Sequence, residues 1–238
     1  MHTRLTSTAA ALLAATLATS ATAAPCDGSS DPCDIDLGRA LAHFASGAAS
    51  YHAEAVLVQG SDAYYNAQPV FLNTLQVAHT PGSDSFTFLP QIYAGVGGSG
   101  VNGLHEVSAL LQFTGLSFTA QPGYAVTGVQ VVLKGSFLMV GDAYGGLGVP
   151  GPAWDGQNFT ATWAVDAAAA DVQAGFSIAG SYLQGDDGTA LSYGAGSATF
   201  DSMQFVVNVT AVPEPTSWAM WAAGSVLLLG LAKRRGRW

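Results

Sequence analysis

The central part of this sequence has almost no basic side chains. Of the seven Lys and Arg residues, only Arg39 and Lys134 lie between residues 24 and 212. These two stand against fifteen of the sixteen Asp and Glu residues, all but Glu214, which gives this stretch a formal charge of −13. So acidic a surface repels nucleic acid and anionic lipid headgroups. We therefore exclude nucleic acid as a partner, whereas cation binding and solubility outside a cell both remain open.

The motifs of the common enzyme classes are also missing. No Gly-x-Ser-x-Gly elbow of a serine hydrolase occurs. His105-Glu106 begins like a zincin motif, but the second His is missing because position 109 is Ala. Residues 95–100 have the spacing G-x-G-x-x-G without an acid about 20 residues later, so we interpret them as a loop and not as a dinucleotide site. The pattern favours a non-enzymatic protein without a cofactor; a secreted hydrolase with scattered carboxylates is the enzymatic alternative.

Cysteine is scarce as well, since Cys26 and Cys33 are the only two. A disulfide between them is the default expectation in an oxidising compartment. It would close a small loop and stiffen only an N-terminal segment. The spacing does not match a Cys-x-x-Cys redox or zinc arrangement.

The N-terminus predicts a signal peptide over residues 1–23. Arg4 supplies the cationic start, residues 5–17 are rich in Ala, Leu and Thr, and Ala21-Thr22-Ala23 has the small-x-small pattern of a cleavage site. The alternative is a buried N-terminal helix. It is disfavoured because the run is weakly apolar and meets Pro25 at its end.

The C-terminus predicts a membrane-spanning tail over residues 212–238. Residues 216–232 are apolar and uncharged, at the short edge of the roughly 17 to 25 residues that span a bilayer as a helix. The positive-inside rule places the basic end, residues 233–238, in the cytoplasm. It places the body of the chain, residues 24–211, outside. An apolar core helix with a basic end is the alternative. The basic stop consists of Lys233, Arg234, Arg235 and Arg237.

In this order, Pro213-Glu214-Pro215, the apolar span and the basic end resemble the PEP-CTERM sorting signal of Gram-negative bacteria. The resemblance implies that an exosortase-type enzyme of the inner membrane recognises Pro213, Glu214 and Pro215 and processes the chain near them. Two prolines around one residue keep such a segment extended. Proteins with this tail are linked to exopolysaccharide and biofilm, and their bodies are diverse. The resemblance therefore implies a route through the inner membrane to the cell surface or medium, but no reaction.

The body, residues 24–211, predicts an all-β fold. Stretches with period-two alternation recur, separated by turn signals such as Pro81-Gly82-Ser83-Asp84 and Gln121-Pro122-Gly123. Strands at this spacing without intervening helices predict a single antiparallel β-sandwich or jelly-roll-like domain. The predicted strands cover residues 50–59, 70–79, 85–93, 106–113, 124–133, 136–140, 159–165, 175–184 and 198–210.

Three local predictions are more specific. Residues 34–44 and the Ala-rich residues 166–174 are candidates for short helices. Residues 114–133 predict a hairpin-like pair with one apolar face that ends in Val129, Val131 and Leu133.

Two groups of side chains are candidate ligand sites. Calcium prefers several carboxylate and carbonyl oxygens, which an N-terminal acidic cluster could supply, although the glycine and glutamate of an EF-hand loop are missing. Residues 145–156, the Gly-rich segment, are rich in Gly and Pro and have the composition of a turn. Three aromatic residues around this segment could stack on a sugar, or could belong to the core. The acidic cluster is Asp27, Asp31, Asp34 and Asp36, and the aromatic residues are Tyr144, Trp154 and Trp163.

The leading hypothesis from the sequence is an exported, non-enzymatic surface or matrix protein. Its alternative is a glycan-binding module, with or without calcium.

Overall fold

The computed structural model describes residues 32–45, 49–54, 63–67, 76–90, 92–97 and 102–212, together with Met220 and Ser225. For residues 49–54 and 63–67 only the backbone is described. The predicted signal peptide lies outside the described residues. So does the predicted tail, apart from Val212, Met220 and Ser225.

Every element bounded between residues 32 and 212 is a β-strand, and every pairing is antiparallel. The prediction of an all-β class is therefore confirmed. The strands are β1 (Cys33–Asp36), β2 (Ala40–Phe44), β3 (Ala49–Glu54), β4 (Ala63–Ala67), β5 (Gln76–Thr80), β6 (Ser83–Phe88), β7 (Ile92–Val96), β8 (Gly103–Ala120), β9 (Tyr124–Gly141), β10 (Tyr144–Gly148), β11 (Ala153–Asp155), β12 (Asn158–Val165), β13 (Ala170–Gln184) and β14 (Ala190–Ala211).

The strands form two sheets that share one strand. In the first sheet β8 pairs with β2 and β3 on one side and with β13 on the other, and β10 pairs with β13. In the second, β14 pairs with β6 and β7 on one side and with β9 on the other, and β12 and β11 follow β9. The start of β14 also pairs with the end of β13, which links the two sheets. This arrangement is β-sandwich-like.

Phenylalanine rings fill the space between the sheets. Phe113 of the first sheet contacts Phe205 of the second at a centroid distance of 5.8 Å, and Phe176 contacts Phe200 at 5.1 Å. All four rings are buried. Burial of one such side chain contributes about 1.5–3 kcal/mol. The alternation of apolar residues in the long strands is thus explained by one shared core.

Neither predicted short helix forms. In residues 34–44 the chain makes β1, a tight turn and β2, because Ile35, Ala42 and Phe44 are buried with the period of strands. The turn needs Gly38, whose φ is +85° and whose amide donates to Asp36 Oδ1 at 2.8 Å. In residues 166–174 β13 begins at Ala170, with Ala170, Val172 and Ala174 all buried, so the period-two burial overrides the helix propensity of alanine.

The hairpin-like pair predicted for residues 114–133 is wrong. β8 and β9 belong to different sheets, because β8 pairs with β13 whereas β9 pairs with β14 and β12. The turn at residues 121–123 carries the chain from one sheet to the other. The predicted apolar face is nevertheless buried at Val129, Val131 and Leu133. The two strands contribute to one core from opposite sides.

Strand boundaries also differ from the sequence predictions. Residues 124–133 and 136–140 form one strand, β9, and the predicted strand 85–93 is interrupted between β6 and β7. The Gly-rich segment, which had the composition of a turn, forms β10 and β11.

Glycine permits a close approach of backbones where the two sheets join. A Cβ atom added to Gly180 of β13 would collide with the carbonyl oxygen of Gly194 in β14. One added to Gly196 would lie 2.7 Å from Ile178 Cγ2. In contrast, a Cβ atom added to Gly146 of β10 would meet nothing within 4 Å.

We expect Gly180→Ala to lower the free energy of unfolding by about 2–3 kcal/mol, because the backbone of β14 would have to shift. Gly146→Ala is the matched control and should remain within about 1 kcal/mol of the parent chain. Urea unfolding of the full chain in detergent, followed by circular dichroism, measures both. Equal urea midpoints for the two variants would contradict the close packing at Gly180.

Candidate functional site

The three candidate aromatic residues lie in different surroundings. Tyr144 begins β10 in the first sheet, and its side chain is 60% exposed. Trp154 lies in β11 at the edge of the second sheet, 50% exposed, with its ring 5.7 Å from Phe159 and 6.3 Å from Phe137. Trp163 of β12 is half-buried and packs against the core. The structure therefore does not place the three rings on one sheet, and Trp163 has a packing role.

A shallow groove of about 330 Å³ lies beside Tyr144. Its lining residues belong to two neighbouring strands of the first sheet, β10 and β13. The space exists because three of its positions carry no side chain, and Gly146 faces open space. The groove is lined by Gly146, Leu147 and Gly148 of β10 and by Gly175, Phe176 and Ser177 of β13.

Strand register shows which side chains share the outer face with this groove. Leu147 packs against the core, so its neighbours Gly146 and Gly148 face outward. By the same alternation Tyr144 faces outward, directly opposite Ala179 of β13. An exposed ring thus stands at one end of a floor of glycine and serine. Such an arrangement can stack on a flat ligand and hydrogen-bond to its hydroxyl groups.

The second feature is a buried carboxylate, Asp84, at the junction of the two sheets. Asp84, the second residue of β6, has no exposed surface. It accepts hydrogen bonds from Arg39 Nη2 at 2.6 Å, Arg39 Nε at 3.1 Å and the Arg39 amide at 3.1 Å. His79 Nδ1 lies 3.0 Å from the same carboxylate. Arg39 Nη2 also donates to the carbonyl oxygens of Thr80 and Ser83. One guanidinium therefore joins the β1–β2 turn to the β5–β6 hairpin.

Arg39 and Asp84 each stabilise the charged form of the other. Burial alone would raise the pKa of the Asp84 carboxyl, but hydrogen bonds from Arg39 and His79 outweigh burial and hold that pKa below its ordinary value of 3.8. The hydrogen bond to Asp84 raises the pKa of Arg39. Both groups are consequently charged at neutral pH. Sequence reasoning missed this pair, although Arg39 was visible as one of only two cations in the body.

The candidate calcium ligands are only partly described. Asp27 and Asp31 lie outside the described residues. Asp34 bonds through its carboxylate to His43 Nδ1, and Asp36 accepts the amide of Gly38. Within the described part of the chain, no three His, Cys, Asp or Glu residues are grouped closely enough to hold a metal ion.

The structure describes only part of the predicted disulfide and of the predicted sorting tail. Cys33, at the start of β1, is in a disulfide bond, whereas Cys26 lies outside the described residues. Pairing with Cys26 remains the prediction. Pro213, Glu214 and Pro215 also lie outside, as do Lys233, Arg234, Arg235 and Arg237. Among the described residues, no helix has the length and hydropathy to cross a bilayer.

Neither a family model nor a curated protein matches this chain.

We expect Asp84→Asn to lower the free energy of unfolding by about 2–3 kcal/mol at pH 7, because the Arg39 guanidinium loses its charged partner. The folded-state pKa of Asp84 is lowered, so its stabilising effect is present above the unfolded pKa and is lost as the pH falls below about 4. The variant should therefore show a weaker acid dependence of stability than the parent chain. Urea unfolding measured from about pH 2 to about pH 7, a range that spans the ordinary pKa of an Asp carboxyl, tests this pH dependence.

Asp155→Asn is the control for this measurement, since Asp155 is exposed in the edge strand β11. It removes the same formal charge and should leave both the stability and its pH profile nearly unchanged. If Asp84→Asn behaved like this control, the ion pair would not contribute to stability.

Proposed function

We propose that this chain is an exported, non-enzymatic protein of the cell surface or extracellular matrix, sorted by its C-terminal tail. In this proposal residues 1–23 are removed as a signal peptide. Residues 216–232 hold the chain in the inner membrane with residues 233–238 in the cytoplasm. An exosortase-type enzyme then recognises Pro213, Glu214 and Pro215. The body, a sandwich or jelly-roll-like domain, then functions in the extracellular matrix, in association with exopolysaccharide.

The observation that carries the proposal is the place where the body ends. β14 continues to Ala211, and the amide of Val212 donates to the carbonyl oxygen of Gly123 at 2.8 Å. The tripeptide Pro213-Glu214-Pro215 follows at the next residue. An enzyme that cuts near this tripeptide would therefore leave the hydrogen bonds of β14 intact. A sorting element placed this way suits a body that is released in folded form.

The surface charge supports the same destination. Arg39, one of two cations in the body, is paired with buried Asp84. In contrast, the acids Asp155, Asp166 and Asp201 are exposed. A net negative surface keeps a protein soluble and separate from anionic membrane surfaces.

Replacement of Pro213, Glu214 and Pro215 by alanine should block C-terminal processing, because the proposed enzyme recognises this tripeptide. Intact mass spectrometry of membrane and medium fractions from the native host measures the product. The parent chain should lack both residues 1–23 and the residues beyond about position 215, whereas the variant should keep its basic end and stay in the inner-membrane fraction.

Val212→Ala, just outside the tripeptide, is the matched control and should be processed like the parent chain. An intact C-terminus on the parent chain itself would make this an ordinary anchored protein and remove the sorting proposal.

A second candidate function, glycan binding, is favoured by one observation. Tyr144 is the most exposed of the three candidate rings and stands beside the groove on the outer face of the first sheet. Aromatic side chains offer a flat apolar surface to the apolar face of a sugar ring. In this proposal Tyr144 is the stacking residue, while Trp154 and Trp163 support the second sheet.

We expect Tyr144→Ala to weaken glycan-array binding by about tenfold, since it removes the stacking surface. Tyr124→Ala is the control, because Tyr124 is an exposed tyrosine at the start of β9 in the other sheet. A blank array for the parent chain, with and without calcium, would exclude this second function.

A further inference from the structure

The groove beside Tyr144 has a carboxylate at the same end. Tyr144 of β10 lies opposite Ala179 of β13, and Ala179 lies opposite Glu106 of β8. Directly opposed residues of antiparallel strands point to the same face, so Tyr144 and Glu106 flank Ala179 on the outside of the sheet. Neighbouring strands are about 4.8 Å apart, which places the two Cα atoms on the order of 10 Å from each other.

The floor of the groove begins at the next level along these strands. Gly146 lies opposite Ser177, and Gly148 lies opposite Gly175. These positions have little or no side chain. The register places Tyr144 and Glu106 on the same outer face, one level along the strands beyond the groove residues Gly146 and Ser177.

The chemistry of the pair selects a ligand that is both flat and cationic. A tyrosine ring stacks on a sugar and also attracts a nearby cation through its π face. Glu106 offers a carboxylate to an ammonium group, and it has no ion-pair partner within the described part of the chain.

The charge of the whole body favours the same ligand. Two cations stand against fifteen acids between residues 24 and 212, and one of those cations, Arg39, is held by buried Asp84. This field repels glycans with carboxylate or sulfate groups and attracts glycans with free amino groups.

We propose that the groove binds an amino-sugar polymer with free amino groups, with Tyr144 stacking on a sugar ring and Glu106 pairing with its ammonium group. This inference rests on the second candidate function and specifies its ligand class. Gly146, where an added Cβ atom would meet nothing within 4 Å, leaves room in the groove for a neighbouring sugar unit.

The experiment measures binding of the full chain in detergent to chitosan oligomers, the probe with free amino groups. N-acetylated chitin oligomers and neutral cello-oligomers of equal length serve as comparison ligands. We expect chitosan oligomers to bind most tightly. Tyr144→Ala and Glu106→Gln should each weaken that binding by about five- to tenfold, and Glu106→Gln should also reduce its dependence on salt.

Two control variants separate a site from general attraction. Asp155→Asn removes the same charge as Glu106→Gln but lies in β11 of the other sheet, so it should weaken binding by less than about twofold. Tyr124→Ala should likewise have little effect. Thermal unfolding of all variants confirms that a loss of binding is not a loss of fold.

Each contrary result has a distinct meaning. Equal binding of chitin or cello-oligomers would overturn the role of the amino group and leave glycan binding in place. If Asp155→Asn weakened binding as much as Glu106→Gln, or if polylysine competed as well as chitosan, the attraction would be diffuse and the site would not exist. No binding of any oligomer would remove both the inference and the function on which it rests.

Discussion

The rest of the structure depends on the pairing of β14 along nearly its whole length. Its residues 194–211 pair with β9, its opposite side pairs with β7 and β6, and its first residues pair with the end of β13. A strand bonded on both sides satisfies its backbone donors and acceptors within the sheet, so it can be buried. Phe200 and Phe205 of this strand then meet Phe176 and Phe113 of the other sheet. β13 also pairs with β10 and β8, so the strands that carry Tyr144 and Glu106 are joined to β14 through β13.

The body has only two cations, and one of them, Arg39, is half-buried against Asp84. Its guanidinium pairs with Asp84 and donates to two carbonyl oxygens of the β5–β6 hairpin. A buried carboxylate without such a partner would carry a large desolvation cost. The Arg39–Asp84 pair is neutral as a whole, so Lys134 and the other fourteen acids carry the formal charge of −13 between residues 24 and 212.

The sequence predicts the class of this fold better than its connections. Alternation identifies strands such as β12 and the apolar face of Val129, Val131 and Leu133, because burial on one face has period two. Alternation does not say which sheet a strand joins. It therefore predicts a hairpin-like pair for residues 114–133, although the turn at residues 121–123 connects strands of two different sheets. Asp84 was predicted only as part of a turn, since its partner Arg39 is distant in the sequence.

The glycines show why the groove could not be predicted from composition. Gly180 and Gly196 are needed because another backbone or side chain occupies the place of a Cβ atom, whereas Gly146 leaves that place open to solvent. In the sequence these residues look alike, and the segment around Gly146 had the composition of a turn. Only the register of β10 against β13 shows that Gly146 and Gly148 share a face with Tyr144. The register of β13 against β8 then adds Glu106 to that face. A candidate binding surface therefore arises from three strands whose sequences, taken one at a time, predict only packing.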